Sequence, residues 1–324
     1  MTLKITSVGR EFDLKTAFGI SRGSKTSIRT LEVQVESDGL IGLGESTPYP
    51  RYSETVESCI TQLDSLPRNS NPSELLELLP AGSAKTALDL ALLDFRAKQT
   101  GTPVWELLEL PMPSPLPFGE TISLKSTEEM VKEAKEKTDC SMLKIKLGGD
   151  DDMTALAGIR QEAPAARIII DVNEGWSYEQ FIDYLPKLSE LEIELIEQPI
   201  PESEHGKLIG LQSPIPLCAD ESLSPDTVLE SLKENYQVIN FKLDKSGGLT
   251  NMVGQIRQAK EMGFGIMVGC MVSSSLAIAP AFYAAPLADY IDLDGFTHLA
   301  QDREQAMQII DGHINADAVS WGKP

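Results

Sequence analysis

The sequence predicts an α/β protein, a (β/α) barrel preceded by an antiparallel α+β segment. Short β-rich runs (MLKIKL, RIIIDV, IELIEQP, IPLCADES, VINFKL) deliver Lys146, Asp171, Glu197, Asp220 and Lys242 at intervals of 25, 26, 23 and 22 residues. Each interval is about the length of one strand, one loop and one helix. Strands that repeatedly present a charge at their C-terminal ends are how such a barrel assembles an active site. The pattern also changes along the chain, from alternating strands at the start to this βα period.

The first part reads as a three-stranded meander. Leu3 to Phe12 and Ile28 to Glu36 are strands, the second alternating through TLEVQVE, and Ser37-Asp38-Gly39 turns it into LIGLGE. Helices are expected over Ser53 to Leu66, capped by Ser53, and over Ser83 to Thr100, where Ala87, Leu88, Ala91, Leu92 and Phe95 keep helical spacing. The proline-rich stretch Pro111 to Phe118 marks a boundary. The expected division is a first domain over 1–115, a barrel over 116–294, and a segment 295–324 that returns to pack on the first domain.

Eight barrel strands are placed at Gly119–Ser123, Met142–Leu147, Arg167–Val172, Glu192–Glu197, Pro216–Ala219, Val238–Lys242, Gly265–Val268 and Tyr290–Asp292. A doubly wound sheet is the architectural rival. Eight sequential units with charges at so many strand ends favour the closed barrel.

Composition narrows the partners. A net charge of −21 argues against nucleic acid or an anionic membrane surface, though not against an anionic ligand in one local pocket. Cys59, Cys140, Cys218 and Cys270 form no CxxC pair and are expected as buried thiols in a reducing cytoplasm. The N-terminus lacks the apolar run of a signal peptide. Gly263 to Ala288 is 26 residues without a charge, long enough to span a bilayer. Its glycines, three serines and two prolines fit a buried strand feeding a buried helix better. A homo-oligomer is compatible with this composition.

Strand alternation puts Lys144 and Lys146 on one face and Ile145 on the other. Two close ammonium groups, or a lysine beside a metal dication, lose protons more readily. A lysine brought toward neutrality in this way can remove a proton from carbon. For a lone KxK the plainer reading is a solvated pair, but this one sits one unit before an acidic triad. Asp171, Glu197 and Asp220 offer three hard oxygen ligands from consecutive strand ends, suited to Mg²⁺ or Mn²⁺. The three histidines are scattered, which disfavours a zinc site. Lys242 lies on the sixth strand, opposite Lys146 on the second, with Asp244 as its expected orienting partner. Lys245 competes with Lys242, although strand parity places it on the other face. Asp292 and Asp294 share a face of the last strand and, if unpaired, would attract a cation such as a substrate ammonium. DLDG also reads as a turn.

The motifs KIK, DVN (Asp171 to Asn173), EQP (Glu197 to Pro199), ADES (Ala219 to Ser222) and NFKLDKSGG (Asn240 to Gly248) resemble the muconate-lactonizing subgroup of the enolase superfamily. ISRGS (Ile20 to Ser24), GESTPYPRY (Gly44 to Tyr52), LPAGSAKTALDLALLD (Leu79 to Asp94), GCM (Gly269 to Met271) and DLDG are similar to its dipeptide epimerases. The resemblance covers nearly the whole chain. It implies a (β/α)7β TIM-type barrel with an N-terminal α+β capping domain and Mg²⁺ on Asp171, Glu197 and Asp220. Lys146 and Lys242 become acid/base catalysts, Lys144 tunes Lys146, and Asp292 and Asp294 bind the dipeptide ammonium. Loops around Arg22 and Pro48 to Tyr52 would close over the substrate, with Arg22 on a glutamate side chain. Arg51, Asn173 and Ser274 are further candidates for substrate contact. His298 stands where an aromatic residue is expected.

The implied reaction is a 1,1-proton transfer at the C-terminal residue of a dipeptide through an enediolate, interconverting L-Ala-D-Glu and L-Ala-L-Glu from peptidoglycan turnover. An N-acylamino-acid racemase, an o-succinylbenzoate synthase or a cycloisomerase would use the same lysines, but their substrates lack the ammonium that the acidic pair awaits. A catalytically silent binding barrel would have lost a lysine or a ligand. A metal-dependent hydrolase would leave both lysines idle.

Overall fold

The structure, a computed structural model, describes residues 3–67, 72–137, 140 and 142–324. Strands β1 (Lys4–Ile20), β2 (Gly23–Ser37) and β3 (Leu40–Ser46) form an antiparallel meander. Asp38 and Gly39, both at positive φ, make its second turn. Leu31, Val33 and Val35 project from one face of β2 onto helices α1 (Val56–Asp64), α2 (Pro72–Glu77) and α3 (Ser83–Thr100). On β3 the matching positions are Gly42 and Gly44. A Cβ on Gly44 would stand 2.1 Å from the Ala87 carbonyl oxygen, so strand and helix backbones meet directly.

Two expectations about this domain need correction. The first hairpin is longer than alternation suggested, because the arms beyond Phe12 and before Ile28 leave the meander core and reach over the barrel. Their apolar residues Leu14, Phe18 and Ile20 face a cavity there. Helix α1 is capped by Thr55 in a reciprocal box with Ser58, while Ser53 lies at φ 58° ending the turn at Pro50–Tyr52.

The barrel strands are β4 (Gly119–Ile122), β5 (Met142–Lys146), β6 (Arg167–Asp171), β7 (Ile193–Glu197), β8 (Leu217–Ala219), β9 (Val238–Phe241), β10 (Gly265–Gly269) and β11 (Tyr290–Asp292), hydrogen-bonded in sequence order. β11 returns beside β4 without ladder bonds, and the Thr121 amide donates to Asp294 across that seam at 2.7 Å. The eight strands form a nearly closed TIM-type barrel with an N-terminal capping domain, as expected.

The βα period is not uniform. Connections after β7 and β8 carry 3₁₀ turns at Glu202–Leu208 and Leu229–Leu232 in place of α-helices. Pro199, Pro201, Gly206 and Gly210 interrupt the first. The uncharged stretch becomes β10 and the wholly buried helix Ser275–Ala284. Among the described residues no helix is long and apolar enough to cross a membrane.

Helix α3 joins the two parts. Thr86 donates to the Leu243 carbonyl at 2.8 Å, and Asp89 accepts from the backbone and hydroxyl of Thr250. Asp89 thus caps the barrel helix Leu249–Glu261 from outside it. From the C-terminal segment, the Trp321 indole donates to the Leu90 carbonyl and the Gly322 amide to Asp94.

Gly44→Ala is expected to lower stability by about 1–3 kcal/mol through overpacking. Gly254→Ala, on an exposed helical face with open space around it, should instead raise stability by up to about 1 kcal/mol. Urea unfolding of both variants checks the pair.

Burial pushes the Asp89 carboxyl up to about 6, against the pull of its Thr250 bonds. The unfolded chain ionises near about 3.9, so this group makes the folded state lose stability as pH rises from about 4 to about 6. Asp89→Asn should flatten that part of the stability profile, read as the difference in thermal midpoint between variant and wild type across the window.

Candidate active site

The barrel interior is built in two-residue steps. Met142, Ile169, Leu195, Cys218, Val238 and Met267 point inward and form an apolar floor. Two residues further along the same strands, on the same inward face, come Lys144, Asp171, Glu197, Asp220 and Asn240. Lys146 and Lys242 are one step higher still. The residues between them, such as Ile145, Ile170 and Ile196, face the outer helices. Ladder register sets Lys146 beside Asp171 and Asp171 beside Glu197.

Asp171, Glu197 and Asp220 each place one oxygen within 4.8 Å of the others, all buried. Lys144 Nζ lies 2.6 Å from Glu197, 2.7 Å from Asp292 and 3.2 Å from Asp171. Lys146 contacts Asp171 at 2.5 Å, and Lys242 contacts Asp220 at 2.8 Å. Asn240 donates to Glu197 at 2.8 Å, and the absence of a side chain at Gly269 leaves room for it.

Burial works against the charged forms of Lys144 and Lys242, but Asp292 and Glu197 around the first, and Asp220 beside the second, hold both pKa values well above the ordinary lysine range. Repulsion between the lysines is the weaker effect here. Burial likewise opposes ionisation of Asp171, yet Lys146 and Lys144 bring it down to about 2. Glu197 goes the other way, up to about 7, because burial and the adjacent Asp171 outweigh Lys144. Three convergent hard oxygens without histidine or cysteine fit a divalent cation. Glu197 Oε2 adds to the fit, being buried with no aligned hydrogen bond despite its closeness to Lys144.

A cavity of about 230 Å³ opens above this layer, between barrel and cap. Lys146, Lys242, Asn173, Asp292, Asp294 and Arg22 line it. Arg51 and Ser274 do not. Arg51 is drawn off to Glu174 and Glu202, and Ser274 caps the Ser275–Ala284 helix while binding Glu45 and Arg303 in a separate buried network. Arg22 is at the cavity but engaged, with Glu221 at 2.8 Å, Glu174 at 3.2 Å and the Asn173 carbonyl at 2.8 Å. Asn173, at φ 46°, donates to Glu221.

Neither aspartate of the acidic pair is unpaired. Asp292 meets Lys144, and Asp294 accepts from the Thr121 amide with His298 Nε2 at 3.4 Å. Burial raises the Asp294 pKa, but His298 and Thr121 bring it to about 2. His298 also packs edge-on against Phe18, so it partly replaces the expected aromatic.

Asp244 does not orient Lys242. It accepts from the Thr47 amide at 2.6 Å, because the strand ends at Phe241 and a helical turn carries Asp244 away toward the cap. The same turn brings Lys245 to Asp220 at 2.6 Å from the side away from the cavity, the face opposite Lys242 that parity gave it. Cys140 and Cys270 are partly exposed, and Cys270 lines the cavity because it follows the end of β10.

Sequence reasoning missed Gln198, whose side chain accepts from the Asp220 and Ser222 amides, and Lys25, an exposed lysine at the cavity with its Nζ 4.3 Å over the Tyr49 ring. Gln198 is the middle residue of EQP and Lys25 directly follows ISRGS, which was the available signal for each.

Residues 2–109 match the family described as mandelate racemase / muconate lactonizing enzyme, N-terminal domain, and residues 127–319 match enolase C-terminal domain-like. An L-Ala-D/L-Glu epimerase of Escherichia coli (strain K12) is 35% identical over 308 residues, covering 93% of this chain and 96% of that one. An N-acetyl-D-glutamate racemase of a Pseudoalteromonas species is 38% identical over 288 residues, 87% of this chain and 91% of that one. Among solved structures, an enolase family member from Agrobacterium tumefaciens with homology to dipeptide epimerases, bound to sodium and L-Ala-L-Glu, superposes with TM-score 0.94. It is 35% identical and covers 99% of this chain and 100% of that one. A dipeptide epimerase from Methylococcus capsulatus, complexed with Mg and L-Arg-D-Lys, gives TM-score 0.88 at 32% identity, covering 97% of each chain. With both halves matched and relatives aligned over nearly its full length, the chain belongs to the mandelate racemase/muconate lactonizing enzyme family of the enolase superfamily and is an isomerase.

Proposed function

We propose that this isomerase epimerises the C-terminal residue of acidic dipeptides, with L-Ala-D/L-Glu as substrate, in the cytoplasmic recycling of murein peptides. The observation that carries the reading is the placement of two lysines. Lys146 ends the second barrel strand and Lys242 follows the sixth, so they face one cavity from opposite walls beside a buried carboxylate triad. Two opposed proton carriers suit inversion at one carbon.

Asp171, Glu197 and Asp220 would hold Mg²⁺, whose chemistry is Lewis-acid stabilisation of the negative charge that builds on the substrate carboxylate. Lys146 Nζ takes the α-proton from one face, leaving a planar carbon, and Lys242 Nζ returns a proton to the other. For the opposite enantiomer the two exchange roles. Asp220 favours the protonated form of Lys242, the form that donates. Lys144 sits between Glu197, Asp171 and Asp292 and fixes their orientation. Asp292, at the wall, receives the dipeptide ammonium.

Arg22 is already committed to Glu221 and Glu174. Lys25 lines the same cavity with no carboxylate partner among the described residues, and it is the better receptor for the glutamate side chain.

The mechanism is tested by α-proton exchange in D₂O, followed by mass spectrometry. Lys146→Ala and Lys242→Ala should each abolish epimerisation. Each variant should still exchange the α-proton of one enantiomer, since exchange needs a single base, and the two should prefer opposite enantiomers. The same preference in both would contradict the two-wall geometry.

Substrate selection is tested by removing one charge at a time. A hydrogen bond to a charged group contributes roughly 1.5–3 kcal/mol. N-acetylation of L-Ala-L-Glu should therefore cost about one to two decades in kcat/KM, and Lys25→Met should raise KM for L-Ala-L-Glu about tenfold or more while sparing L-Ala-L-Ala. Turnover of N-acetyl-glutamate as fast as the free dipeptide would favour the N-acylamino-acid racemase reading instead.

A further inference from the structure

Lys245 belongs to no step of the mechanism above, yet it is a buried lysine with a side chain 1% exposed. Its Nζ lies 2.5 Å from the carbonyl oxygen of Asp220 and 2.6 Å from Oδ1 of the same residue. The other carboxylate oxygen, Oδ2, faces Lys242 at 2.8 Å. Asp220 is thus straddled, with Lys242 on the cavity side and Lys245 behind it, outside the cavity wall.

We infer that Lys245 is a positioning residue of the cation site, fixing Asp220 as a ligand. A lysine that only neutralised buried charge would need the carboxylate alone. By gripping the backbone carbonyl and Oδ1 together, Lys245 ties the side chain to its own main chain and removes rotation about χ1. The Gln198 side chain holds the Asp220 amide at 3.1 Å, so nitrogen, carbonyl and one carboxylate oxygen are all restrained. Lys245 is itself held in place. It stands on the short helix Leu243–Ser246, where Thr86 of α3 binds the Leu243 carbonyl and Gly247 sits against Ala81 and Lys85. The capping domain therefore reaches the cation site through two residues, Leu243 and Lys245, without contact with the ligand.

The inference rests on Asp171, Glu197 and Asp220 being the cation ligands, and the test separates the two claims. Mn²⁺ binding to the full-length protein is titrated by electron paramagnetic resonance, with unfolding midpoints measured in parallel without metal. Loss of a group that orients a metal ligand typically weakens affinity 10–100-fold. Lys245→Met should fall in that range, and Lys245→Gln, which keeps one donor without the charge, should lie between it and wild type. If Lys245 acted only as a competing positive charge, both variants would bind Mn²⁺ more tightly. Wild-type or tighter binding by either folded variant overturns the positioning role, and the Gln variant carries the test alone if the Met variant does not fold. Glu197→Gln is the control: unchanged Mn²⁺ binding there refutes the ligand assignment itself.

Discussion

Most of this architecture follows from the cost of holding charges out of water. Asp171, Glu197, Asp220 and Asp292 face Lys144, Lys146, Lys242 and Lys245 around the barrel mouth, buried where isolated ions would be prohibitively costly. Each survives there because a partner of opposite sign lies within hydrogen-bond distance. Such pairing demands fixed strand register, since a slip of one residue would turn every charge outward into the aliphatic shell. The apolar floor beneath supplies that register and keeps water from entering below. The chemistry and the stability of the barrel mouth are one electrostatic problem.

Helix α3 transmits this order to the capping domain. Its glycine-matched contact with β3 makes the cap stiff on one side, and on the other Thr86 and Asp89 hold the loop and helix that follow Lys242. The long β1–β2 hairpin extends from the same cap, and Ser21 and Arg22 at its tip bind the Asn173 carbonyl. Asn173, Glu174 and Gln198 adopt positive φ in loops just beyond the barrel strands, a cost of backbone strain concentrated where the hairpin lands and the ligand loops turn.

The legible part of the site was the part written in period two. Lys144, Asp171 and Glu197 lie on strands, and Asp220 directly follows one, whose alternation and spacing state both their depth and their direction, so their convergence could be read residue by residue. The failures begin where a strand ends. Parity gave Asp244 the wrong partner because helical geometry takes over after Phe241 and turns it toward Thr47. Arg51 and Ser274 stand away from the cavity for another reason: their partners Glu174 and Glu45 are 123 and 229 residues away, and only the docking of cap on barrel brings them together. The pairing of Asp292 with Lys144 was hidden likewise, since nothing local in DLDG shows that a lysine from the second strand already waits there.

Asp294 is also a structural joint. β4 and β11 meet without ladder bonds, and its carboxylate accepts a backbone amide across that gap. A side chain here thus stands in for the missing rung of the sheet. A substitution that removes this carboxylate removes that bond across the seam, so a change in ligand affinity there would report the seam together with the loss of a charge. One residue thus belongs to the cavity wall and to the barrel seam at once, and neither can be altered there without touching the other.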